Sequence, residues 1–188
     1  VEGFKMMIPA IAILIFAWSL KGMGDALEIS TFVKNIVGSN TSASVILPAI
    51  LFVVAVFLSF STGTSWGTFA ILVPIAIAMF PGSENLQMMI ISVSAVLAGA
   101  VCGDHVSPIS DTTVMSSAGA QSNHINHVTT QMQYAAVVAV ISFIGYIIAG
   151  FVHIWWAVLG ISLILLLLTL TVIKKITSSK EEETKAGA

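Results

Sequence analysis

Arginine is missing from the 188 residues altogether, cysteine occurs once, at Cys102, and only 9% of the chain is charged. Seven lysines against nine carboxylates leave a net charge of −2. No basic surface exists to grip phosphates, so nucleic acid is not expected as a partner. A single thiol rules out an internal disulfide and a cysteine-based zinc site, and leaves the redox compartment open. A soluble domain carries about a quarter charged residues, which excludes a soluble globular protein here.

What fills the chain instead is apolar: 57% of it, with a mean hydropathy of +1.01. At about 20 apolar residues per membrane crossing, that total allows at most five or six crossings and almost no extramembrane domain. Function is therefore expected inside the lipid bilayer. The chain opens at Val1, without an initiator methionine or the cleavage pattern of a signal peptide. It reads as a piece of a longer membrane protein, whose N-terminal part complete function would need.

The first apolar run, residues 6–23, ends near Trp18 and Lys21, an aromatic and a cation of the kind that anchor at the interface. In the polar connector, residues 24–41, Asp25, Glu28 and Lys34 read as solvated loop charges. Two apolar arms follow, residues 43–60 and 68–80, separated by Ser61-Thr62-Gly63-Thr64-Ser65-Trp66-Gly67. As helices they would be about 27 and 20 Å long, against a hydrocarbon core of about 30 Å. The second arm is too short to cross upright, so a re-entrant helical hairpin with its polar turn at mid-membrane is expected. Such backbone is tolerated at depth only when buried in protein or facing a water-filled cavity.

A surface turn at Pro81-Gly82-Ser83-Glu84-Asn85 leads to a short helix over residues 86–101. It stops at Cys102-Gly103-Asp104-His105-Val106-Ser107-Pro108-Ile109-Ser110-Asp111 and resumes over residues 112–120. Pro108 removes a backbone donor and disfavours helix at Ser107, so a broken transmembrane helix is expected. A polar loop, residues 121–127, precedes two closing spans, residues 130–150 and 153–173, with Trp155 and Trp156 near one interface. The fold expected is thus an all-α polytopic membrane protein, with a transmembrane domain over residues 1–173 and a disordered tail over 174–188. Lys174 and Lys175 abut the last span while the turn near Gly150 carries no cation, which assigns the C-terminus to the cytoplasm.

Two polar clusters interrupt the apolar helices, and Asp104 and Asp111 are the acids at that position. A carboxylate at membrane depth costs at least about 2.5 kcal/mol, so it normally faces a partner or a cavity. One reading is a cation or proton site. A hard monovalent cation wants oxygen ligands, which Ser107, Ser110, Thr112 and Thr113 supply from one side and Ser61, Thr62, Thr64 and Ser65 from the hairpin tip. Desolvation favours a protonated carboxyl and a bound cation an ionised one, so competition for one site couples the two ions. The other reading is structural, with Asp111 capping the first turn that begins at Thr112. His105, next to Asp104, is a candidate for pH sensing or substrate contact, against a bland pore-lining role. His124 and His127 have a spacing that would suit a metal on a helix, but co-ligands are missing nearby, and an interface loop is the plainer reading. No catalytic pair or zinc triad stands out, so an enzyme is not expected. Trp66 either walls a cavity or fills space. Ala95, Gly99 and Gly103 recur every fourth residue, a row that lets another helix approach closely.

The two clusters, Ser61-Thr62-Gly63-Thr64-Ser65-Trp66-Gly67-Thr68 and Gly103-Asp104-His105-Val106-Ser107-Pro108-Ile109-Ser110-Asp111-Thr112-Thr113, resemble the NhaC-type Na+/H+ antiporter family. So do Ser117-Ala118-Gly119-Ala120-Gln121 and His124-Ile125-Asn126-His127-Val128. The likeness covers residues 4–173. It implies one repeat of an inverted-repeat secondary transporter, working by alternating access in the cell membrane, with the N-terminal repeat in the missing part. It implies antiport of Na+ and H+, with Asp104 and Asp111 as the matched acids and no cofactor beyond the transported ions. The partners are then Na+, H+, the lipid bilayer and the other repeat, with a homodimer as one assembly open to it. Similar proteins exchange carboxylates or amino acids, notably malate for lactate, which keeps a cation-coupled carboxylate or amino-acid exchanger as the alternative. Where the family pattern has acids after Gln121, this chain has Asn123 and Asn126, which argues against a proton relay there.

Overall fold

The computed structural model describes side chains over residues 44–80 and 82–177, backbone at 41–43 and 178–186, and five earlier positions, Ile15, Ser19, Met23, Ala26 and Leu27. Apart from those five, the expected first span and polar connector lie outside the described residues, as does Pro81. The described residues form helices and no strand. Among the described residues, four helical stretches are long and apolar enough to cross a membrane: Ser44–Thr62, Ser83–Val106, His124–Phe151 and Trp155–Thr177.

Helix α1, Thr41–Thr62, runs through the first two residues of the expected polar tip. It can do so because Ser61 and Thr62 donate their hydroxyls to the Phe57 and Leu58 carbonyls, both at 2.8 Å, and satisfy themselves within the helix. Gly63, at φ +67°, ends it. Thr64 then caps α2, Ser65–Met79, its hydroxyl oxygen accepting from the Gly67 N–H at 3.4 Å. The turn is two residues, not the seven expected. At 22 residues α1 is about 33 Å long and could cross outright, whereas α2, at 15, is about 22 Å and could not.

Helix α3, Leu86–Val106, also outruns its expected end. Gly103 costs a helix roughly 1 kcal/mol against alanine, yet here it sits in a close contact with α1 that offsets the loss. The break comes only at Ser107, directly before Pro108, where the proline forbids helix. Asp104 and His105 therefore occupy the last helical turn instead of an unwound stretch, and the link is Ser107-Pro108-Ile109-Ser110. Helix α4, Asp111–Gly119, starts one residue earlier than expected. Its Thr113 hydroxyl donates to the His105 carbonyl at 3.4 Å, which ties the first turn of α4 to the last turn of α3.

His124 to His127 form the first turn of α5, His124–Phe151, instead of a loop. Helix α6, Trp155–Ala186, continues into the charged stretch expected to be disordered. Lysine, glutamate and alanine are good helix formers, and extending an existing helix needs no new nucleus.

Helices α1 and α3 run parallel, with Phe52 facing Gly99, Val56 facing Gly103 and Phe60 facing Ser107. Lipid supplies no hydrophobic drive between helices, so close packing and polar contacts must hold the pair. A Cβ on Gly99 or Gly103 would run into the Phe52 or Val56 carbonyl, and Ser59 donates to the Ala100 carbonyl at 2.6 Å. The small-residue row is thus the seam against α1. Helix α2 returns along α3, and Leu47, Leu51, Ala55, Leu72, Ala76, Phe80, Val96 and Ala100 form the shared core. Helix α5 lies antiparallel to α1, its Tyr146 ring 5.4 Å from that of Phe52, and α6 packs outside it, Ser162 against Gly145.

Candidate functional site

The two polar interruptions meet. A Cβ on Gly63 would lie 2.9 Å from the Ile109 carbonyl oxygen, so the turn between α1 and α2 rests directly on the link after α3. Ser107 is fully buried and donates to the Phe60 carbonyl at 2.7 Å, tying the end of α3 to the end of α1. Four helix ends converge here: the C-termini of α1 and α3 and the N-termini of α2 and α4.

Asp104 sits at that junction, half-buried. Ser65, on the first turn of α2, donates to its Oδ2 at 2.9 Å, and Ser110, which precedes α4, donates to its Oδ1 at 2.7 Å. Each carboxylate oxygen thus has a hydroxyl from the start of a different helix, where the free N–H groups already favour negative charge. Ser110 has one hydroxyl proton and spends it on Asp104, so in its 2.7 Å contact with Thr112 the Thr112 hydroxyl is the donor. The result is a chain from Thr112 through Ser110 to Asp104, closed on the other side by Ser65. Five polar oxygens are linked in this way: two of the carboxylate and the hydroxyls of Ser65, Ser110 and Thr112.

The other expected residues lie differently. Ser61 and Thr62 are exposed and turned back on their own helix. Thr64 is engaged as the cap of α2, and Thr113 on the His105 carbonyl. Asp111 is exposed, and its carboxylate accepts from the Thr112 N–H at 2.8 Å, the contact expected of an acid serving a helix start. His105 is exposed. Trp66 is 72% exposed and stacks edge-on against Phe69, 5.8 Å away. The described residues contain no cluster of three histidine, cysteine or acidic side chains able to hold a metal. A cavity of about 550 Å³ lies elsewhere, between α3, α5 and α6. Its Ser94 is ten residues, about 15 Å, down α3 from Asp104.

His124 is the participant that sequence reasoning set aside. Its Nε2 lies 2.7 Å from the Pro108 carbonyl and its Nδ1 3.0 Å from the Ser117 hydroxyl. It joins α5 to both the link and α4. Nothing in the local sequence separates it from His127, whose Nε2 reaches Ser116 only at 3.5 Å.

The sequence model of the Na+/H+ antiporter family matches residues 1–151. The chain belongs to that family. It is a family of transporters, and four span-length apolar helices agree with a multi-pass membrane protein. Over 175 residues the family member described here is 45% identical to an uncharacterized protein of Haemophilus influenzae, covering 93% of this chain and 33% of that protein. Over 111 residues it is 34% identical to the malate-2H(+)/Na(+)-lactate antiporter of Bacillus subtilis, covering 58% of this chain and 23% of that one. The chain spans a third or less of either relative. No solved structure matches it.

Proposed function

We propose that the chain is part of a secondary transporter that exchanges Na+ for H+ across the cell membrane by alternating access, with Asp104 as the group for which the two ions compete. The observation that carries this reading is a half-buried carboxylate at the junction of two helix interruptions, with a hydroxyl on each oxygen. A hard cation takes such oxygens readily. Na+ would be held by Asp104, Ser65, Ser110 and Thr112 as their hydroxyl protons rotate outward. A proton on the carboxyl removes the charge that attracts the cation, so each ion displaces the other. Unwound segments between discontinuous helices are where carriers of this architecture place ions. In this reading α1 and α2 are a hairpin returning to its side of entry, the rest of the protein supplies a second unit of opposite orientation, and Lys174 and Lys175 keep the C-terminus in the cytoplasm.

The test is Na+-dependent proton flux in vesicles holding the full-length protein. Asp104→Asn keeps the size and a hydrogen-bonding group but removes the charge, and flux should fall to background. Unchanged flux would remove Asp104 from the mechanism. The Bacillus subtilis relative supports a second reading, a cation-coupled carboxylate exchanger. Labelled malate or lactate entering the same vesicles only with Na+ would favour it.

A further inference from the structure

The proton inventory around His124 points to a role that the cation site alone does not contain. A carbonyl only accepts, so Nε2, 2.7 Å from the Pro108 oxygen, must carry a proton. Ser117 has one hydroxyl proton and two candidate acceptors, Nδ1 at 3.0 Å and the Val114 carbonyl at 2.9 Å. With a neutral ring, one of those two contacts goes unmade. With a doubly protonated ring, Nδ1–H donates to Ser117, Ser117 donates to Val114, and every contact is satisfied at once.

We infer that His124 is a positioning residue for the Asp104 site: its ring clasps the link between α3 and α4, and the clasp closes fully only when the ring holds two protons. The clasped carbonyl is two residues from Ser110, which donates to Asp104, and the turn between them is closed by the Ser110 N–H on the Ser107 carbonyl at 3.3 Å. Protonation at His124 therefore stiffens one wall of the site without touching the carboxylate. Among the described residues, the other titratable groups on the surrounding helices are Cys102, Asp104 and His105 on α3, Asp111 at the start of α4, and His127, Tyr134 and Tyr146 on α5. Asp104, Asp111 and His127 bond elsewhere, and the His105 ring is exposed. Histidine is the side chain that changes charge near neutral pH.

The functional meaning of the clasp rests on the proposed exchange at Asp104, but its existence is tested without transport. Amide hydrogen exchange of residues 107–112, in full-length protein in lipid nanodiscs, is followed from about pH 8 to about pH 6 and corrected for intrinsic rates. Protection in the wild type should rise about tenfold toward acid, the effect of one hydrogen bond to a charged donor. His124→Gln keeps a donor for Pro108 and should abolish the pH dependence. Ser117→Ala, milder for folding, should abolish it too, and the double variant should add nothing. Protection independent of pH in the wild type, or an undiminished dependence in either variant, overturns the clasp. Absence of Na+-dependent proton flux in the wild type would instead overturn the exchange reading and leave the clasp standing.

Discussion

Among the described residues, the Asp104 carboxylate is held by two serine hydroxyls rather than by a cation. A hydrogen bond to a charged acceptor is worth about 1.5–3 kcal/mol. Ser65→Ala and Ser110→Ala should therefore each raise the Na+ concentration for half-maximal flux by about tenfold or more, with the protein still folded. Asp111 is the contrasting acid, because it is exposed and serves the first turn of its own helix. Losing a charge at a helix start costs about 0.3–1 kcal/mol, so Asp111→Asn should lower flux by no more than about fivefold. Loss as complete as in Asp104→Asn would show that both acids hold the ion. Sequence alone ranked these two acids equally, because rotation about the helix axis and a single residue of slippage at the break decide which one faces inward.

Among the elements, the seam between α1 and α3 is what aligns the two interruptions. Gly103→Ala would force a methyl group into the Val56 carbonyl, which is backbone and cannot give way. The variant should fail to yield assembled protein on size-exclusion chromatography in detergent. Gly119, at the end of α4, has open space around it, and Gly119→Ala should be neutral or stabilise by up to about 1 kcal/mol. Gly63 differs from both, since its φ of +67° is costly for any residue with a side chain and its neighbour is the Ile109 backbone. Gly63→Ala should leave the helices assembled yet push the link away from the turn, lowering flux. The existence of both interruptions was legible from Gly63 and Pro108. Their extent was not, because serine and threonine hydroxyls that bond back into a helix look in sequence the same as hydroxyls that line a cavity.

For the molecule as a whole, ion binding and stability are linked. A ligand bound only by the folded state at about a hundred times its dissociation constant adds about 2.7 kcal/mol. Na+ should accordingly raise the thermal midpoint of the full-length protein, and the rise should vanish in Asp104→Asn. A rise that persists in that variant would place the ion elsewhere. The outermost helix makes the membrane indispensable: none of the apolar window Trp155–Thr177 is buried, and Leu163, Ile164, Leu167 and Leu168 all stand exposed. That face needs lipid or another part of the protein. The protein should resist extraction by alkaline carbonate and yield only to detergent.

Composition and spacing by themselves determined that the chain lives in a membrane, that it is helical, and that its helices are interrupted around Gly63 and Pro108, since burial in lipid demands long apolar runs and proline and glycine act locally on the backbone. Only the tertiary structure decided that the interruptions touch, that Asp104 rather than Asp111 faces the hydroxyls, and that His124 reaches the link. Each of those depends on the register of one helix against another. Register is set by the packing of Gly99 and Gly103 on a distant carbonyl, which no local pattern records.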